Sequence, residues 1–132
     1  MKKKIRVGVI GLANIATRSI IPAIQKLSNL YDLVGIASRD YIRAKEYGEK
    51  NGILAFKNYE ELLIKGKLDV VYIPLPNALH FEWAKFALIN NINVLVEKPL
   101  ATSLSETKKL INIARKNELI IFETFQFRFH RQ

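Results

Sequence analysis

A chain of 132 residues, 49% hydrophobic and 25% charged, has the length and balance of one globular domain with its own core. It has no cysteine, which excludes a disulfide scaffold, cysteine-ligated metal and thiol catalysis and fits the cytoplasm. Lys and Arg outnumber Asp and Glu by 21 to 12, a net charge of +9, but beyond Lys2–Lys4 they are scattered, with no arginine-rich helix or zinc spacing, so nucleic acid is not the expected partner.

The basic start and the uncharged run from Val7 to Thr17 imitate a secretion signal. Two glycines and an Asn interrupt that run, and no cleavage site is clear. A strand over Ile5–Ile10 followed by a glycine turn explains it better. No apolar run approaches the ~20 residues of a membrane span, so no membrane partner is expected. A helix should start near Asn14, with Pro22 bending or splitting it. Leu33–Ala37 reads as a second strand, and Asp40–Asn51 as a helix closed by Gly52. Ile53–Phe56 is a weaker strand candidate.

Asn58 with Glu61 three residues on marks a helix start. Val70–Ile73 is the next strand. After Asn77, which can cap a helix, Phe81, Ala84 and Leu88 recur at helical spacing. Ile92–Val96 is a strand that Glu97, Lys98 and Pro99 terminate, because a buried strand cannot continue through two charges and a residue without an N–H. Ser103 with Glu106 opens a helix over Leu104–Lys116, with Leu110, Ile113 and Ala114 on one face. Leu119–Phe125 is the last strand. Phe125, Phe127 and Phe129 then alternate with polar residues. They either pack on the domain's own helices or invite a homo-oligomer through this C-terminal strand.

The strands are Val- and Ile-rich and mostly lack polar alternation, as in a parallel sheet covered on both faces. The expected fold is α/β: a Rossmann-type doubly wound parallel sheet of about six strands, with 1–132 as one dinucleotide-binding domain. Such sheets bind ligands at the carboxyl ends of their strands.

Four of those ends carry candidate chemistry. The first turn, counted from Gly11, reads G-x-A-x-x-A through Ala13, Asn14, Ile15 and Ala16, a relative of the dinucleotide fingerprint. A tight turn there brings backbone N–H groups and a helix amino end to a pyrophosphate. The second strand ends Ser38-Arg39-Asp40. An acid at this point suits the ribose hydroxyl of NAD, whereas Ser38 and Arg39 suit a 2′-phosphate, so NADP is preferred over NAD. Asp40 is one or two residues late and suits a helix cap. After Pro76 and Asn77, His80 falls in a first helical turn, where the helix dipole favours a neutral ring able to bond a substrate or Lys98. Lys98 can donate to the oxygen of a reacting alcohol or carbonyl, and Glu97 can hold that ammonium or contact a ribose. Lys98 and His80 are therefore the catalytic candidates, and no metal ligands are expected.

Gly11-Leu-Ala-Asn-Ile-Ala, Ala-Ser38-Arg39-Asp40, Pro76-Asn77-x-x-His80, Val-Leu-Val-Glu97-Lys98-Pro99-Leu-Ala and Glu123-Thr-Phe-Gln-Phe-Arg128-Phe-His130 occur in this order. Together they resemble the amino-terminal domain of the Gfo/Idh/MocA oxidoreductases, the glucose–fructose oxidoreductase and inositol dehydrogenase family. The resemblance implies a nicotinamide-dependent dehydrogenase or reductase acting on a sugar, a cyclitol or a related alcohol. It places Gly11, Ala13, Asn14 and Ile15 at the pyrophosphate and Ser38 and Arg39 at the adenosine ribose. It places Pro76, Asn77, Glu97 and Lys98 at the nicotinamide end, with Lys98 touching the substrate oxygen and a cis Lys98–Pro99 bond. Family members continue into a second α+β domain that supplies most of the substrate pocket. The expectation is a cofactor domain without that C-terminal domain. A non-catalytic dinucleotide- or partner-binding module is the alternative.

Overall fold

The computed structural model describes residues 2–124. Phe125, Phe127, Phe129, Arg128 and His130, and the self-association expected of that segment, lie outside the described residues. Five strands form one parallel sheet: β1 (Ile5–Ile10), β2 (Tyr31–Ala37), β3 (Val70–Ile73), β4 (Asn93–Glu97) and β5 (Ile121–Thr124). Their spatial order is β2-β1-β3-β4-β5. The chain winds outward from β1 to β2, then returns to the other side of β1, so the topological switch lies between β1 and β3.

The weaker candidate Ile53–Phe56 does not become a sixth strand. It makes a single bridge from Ala55 to Ile36, with Ile36 N–H donating to Leu54 O and Phe56 N–H to Ile36 O, both at 2.9 Å. Five residues between the Gly52 helix end and the Asn58 cap leave no room for more.

Polar residues set the helix ends. Asp40 accepts from Arg43 N–H at 3.3 Å and opens α2 (Tyr41–Asn51), which Gly52 closes at φ 70°. Asn58 accepts from Glu61 N–H at 2.8 Å to open α3 (Tyr59–Lys65). Ser103 accepts from Glu106 N–H at 3.2 Å to open α5 (Leu104–Lys116). Pro22 splits the first helix, as its missing N–H requires. A π turn over Ala16–Ile20, in which Ile21 N–H reaches back to Ala16 O, precedes α1 (Ile21–Lys26). The expectation for Asn77 is corrected. The chain enters α4 (His80–Ile89) through a 3₁₀ turn over Asn77–Leu79, and the backbone carbonyl of Asn77, not its side chain, accepts from His80 N–H.

Two apolar layers cover the sheet. Ile10, Ala37, Val71, Ile73, Val94 and Val96 pack under α3, α4 and α5 through Leu62, Ala84, Leu88 and Leu110. Val9, Ile36 and Tyr72 pack on the other face with Ala16, Ile21 and Ala44. This second layer thins toward β4 and β5. β4 is buried only at alternate positions, and Phe122 on β5 is exposed. Cover on both faces therefore holds for β1 and β3 but not for β4 and β5, because α1 and α2 pack over the opposite half of the sheet.

Candidate functional site

Parallel pairing brings the carboxyl ends of all five strands to one edge. Gly11 follows β1 at φ 106°, a conformation side chains resist. Its N–H donates to Ala37 O at 2.8 Å, which ties the turn to the end of β2. A Cβ at this position would lie 2.8 Å from Leu75 Cδ2, so the turn packs directly on the segment after β3. Between these segments lies a cleft of about 450 Å³ lined by Gly11, Ala13, Ser38, Arg39, Arg43, Tyr59 and Pro74–Pro76. The structure thus brings the first, second and third candidate segments together.

Ser38 is buried, and its Oγ accepts Asp40 N–H at 3.2 Å, which leaves its own proton free to donate. Arg39 is exposed beside it. Asp40 is engaged as the cap of α2. Two lining residues carry no local sequence signal. Arg43, one turn into α2, donates from Nη2 to Leu12 O at 2.7 Å and so adds a second guanidinium. Tyr59 stands edge-on to Trp83, and burial raises its phenol pKa against the lowering effect of Arg39's backbone N–H and charge. The cleft is therefore small-residued at the helix start and cationic at the end of β2, which fits a pyrophosphate and an anionic ribose.

The β4 end is built differently. The buried Tyr72 hydroxyl donates to Glu97 Oε1. Burial, then the bond to Glu97 and its charge, push the Tyr72 phenol pKa far up. Glu97 thus bonds a phenol; among the described residues the ion pairs are Arg6–Asp32 and Glu61–Lys65, and Glu97–Lys98 is not one of them. Glu97 also borders an apolar hollow of about 250 Å³ with Ile15, Ile20, Leu95 and Phe122. Lys98 is exposed, Lys98–Pro99 is cis, and Leu100 N–H donates to Glu123 Oε2 at 2.6 Å. Pro76 and Asn77 are exposed at the neighbouring strand end.

His80 is not where a substrate contact would be. It is fully buried, with Nδ1 2.6 Å from Pro99 O and Nε2 2.5 Å from Leu75 O. Both partners are backbone carbonyls, so the ring spans two segments of the chain, the one after β3 and the one after β4. In place of a substrate or Lys98, the ring therefore contacts two backbone carbonyls. Among the described residues, no three acidic or histidine side chains gather as metal ligands, and no helix is long and apolar enough to cross a membrane.

Residues 5–125 match the Gfo/Idh/MocA profile, described as an oxidoreductase family with an NAD-binding Rossmann fold. The chain belongs to the Gfo/Idh/MocA oxidoreductase family. Within that family it is 40% identical over 124 residues to a D-xylose 1-dehydrogenase (NADP(+)) of Haloferax volcanii, covering 93% of this chain and 38% of the relative. It is 42% identical over 128 residues to a dTDP-3,4-didehydro-2,6-dideoxy-alpha-D-glucose 3-reductase of Actinomadura kijaniata, covering 97% and 38%. The crystal structure of a 3-ketoreductase from Actinomadura kijaniata, in complex with NADP and TDP-benzene, superposes with a TM-score of 0.90 at 42% identity, over 98% of this chain and 40% of that one. The chain therefore spans about two fifths of the length of these relatives. It is an NAD(P)-binding oxidoreductase domain.

Proposed function

We propose that this domain binds NADP in preference to NAD and serves an oxidoreductase that moves hydride between the nicotinamide and a sugar, a cyclitol or a related alcohol. The observation that carries the cofactor choice is the end of β2. Ser38 has a hydroxyl proton to donate, Arg39 and Arg43 supply two permanent cations, and Asp40 is engaged in its helix cap. An acid free to accept from a ribose hydroxyl would favour NAD; here the available groups are donors. Relatives named for NADP or crystallised with it support the same choice.

When bound, the dinucleotide would give hydride in its reduced form or accept it in its oxidised form. Gly11, Ala13, Asn14 and Ile15 present the helix amino end to its pyrophosphate. Ser38 and Arg39 hold the 2′-phosphate. Pro76, Asn77 and Glu97 border the nicotinamide end, where Glu97, held by Tyr72, accepts from the ribose. Lys98, exposed at the end of β4, donates from Nζ to the substrate oxygen and stabilises negative charge there as hydride leaves or arrives at the carbon.

Fluorescence titration of the chain with NADPH and NADH tests the reading. Saturable binding is expected for both, with NADPH tighter by about tenfold or more. No binding of either at millimolar concentration would refute it.

A further inference from the structure

His80 lines neither the cleft nor the apolar hollow, yet it joins the two segments that border the proposed nicotinamide end. Leu75 O belongs to the turn after β3, and Pro99 O follows directly on Lys98. The ring is completely buried at the first residue of α4, so no solvent competes for its nitrogens. On its far side the same loop is tied by Leu100 N–H to Glu123. Both of the ring's partners are backbone carbonyls, and the one at Leu75 is buried, where an unpaired carbonyl is costly.

We propose that His80 is a positioning residue for Lys98. With Nδ1 2.6 Å from Pro99 O and Nε2 2.5 Å from Leu75 O, it holds the Lys98–Pro99 step at a set distance from the Pro74–Asn77 turn. The lysine and the dinucleotide-binding turn then form one unit. This inference rests on the proposed function only in placing the nicotinamide beside Lys98.

Two measurements on the whole chain test it. The sequence has two histidines, so ¹⁵N NMR of the ring nitrogens, with His130→Gln removing the second, reads His80 alone. A slowly exchanging His80 ring proton is expected, because a buried ring N–H bonded to a backbone carbonyl is shielded from water; ring protons that exchange as fast as those of a free imidazole overturn the bridge. The second compares NADPH with adenosine 2′,5′-bisphosphate, which lacks the nicotinamide end. His80→Phe fills the space without donating, and is expected to weaken NADPH about tenfold and the bisphosphate less than about twofold. Equal losses of the two ligands, or unchanged NADPH binding, overturn the positioning role. If His80→Phe does not fold, the ring spectrum of the unmodified chain still decides the bridge. Failure of the unmodified chain to bind either ligand counts against the proposed function and leaves the ring result standing separately.

Discussion

Replacing Gly11 by Ala adds one methyl group at the point where the β1 turn meets the segment after β3. Two costs follow from the structure. The backbone there has φ 106°, and left-handed backbone costs an L-residue roughly 1–2 kcal/mol. The new Cβ would also sit 2.8 Å from Leu75 Cδ2, a contact that must shift. Leu75 is 7% exposed and lies between Pro74 and Pro76, so its room to move is small. Overpacking of this kind costs about 1–3 kcal/mol. The sum is about 2–5 kcal/mol, a large share of the roughly 5–15 kcal/mol that holds a domain folded. Gly52→Ala is the internal control. Gly52 also has positive φ, 70°, but a Cβ there meets nothing within 4 Å, so only the backbone cost of about 1–2 kcal/mol applies. Trp83 is the single tryptophan and is buried in the core, so its fluorescence reports urea unfolding of both variants. Gly11→Ala should unfold at clearly lower urea than Gly52→Ala and bind NADPH more weakly. Equal midpoints for the two variants would refute the packing argument.

Tyr72→Phe removes the donor to Glu97 and should cost about 1.5–3 kcal/mol at neutral pH, measured by urea titration. Because burial and Glu97 raise the folded Tyr72 pKa, the stability it contributes is fully present below the phenol's unfolded value near 10. That contribution is lost as pH rises beyond, at about 1.4 kcal/mol per pH unit. Tyr72→Phe should therefore show a shallower alkaline decline than the unmodified chain; parallel declines would contradict the assignment. Ser103→Ala deletes the α5 cap and should lower stability by about 1 kcal/mol without changing NADPH affinity. Arg43→Ala removes a cation and the bond to Leu12 O. It should weaken NADPH severalfold more than NADH in parallel titrations.

Much of this architecture was legible because its signals are local. Asp40, Asn58 and Ser103 cap helices through their own side chains, and Gly52 ends one through its own backbone. The four candidate strand ends follow once the sheet is parallel, since every apolar run then stops at the same edge. What escaped is non-local. Arg43 and Tyr59 reach the cleft from α2 and α3, and Tyr72 finds Glu97 across a neighbouring strand. The acceptors of His80 are backbone carbonyls 5 and 19 residues away, which leave no mark on residue type. The helix dipole alone therefore did not place the ring between these two carbonyls. The half-open face of β4 and β5 escaped for a similar reason: Val-Leu-Val reads the same whether one face is covered or two.

The proposed preference for NADP depends on the end of β2 selecting the 2′-phosphate. Parallel NADPH and NADH titrations of the chain and of Arg39→Ala test it most directly. Arg39→Ala is expected to lose about tenfold or more in NADPH affinity and to stay within about twofold for NADH. Equal losses for the two dinucleotides would contradict it.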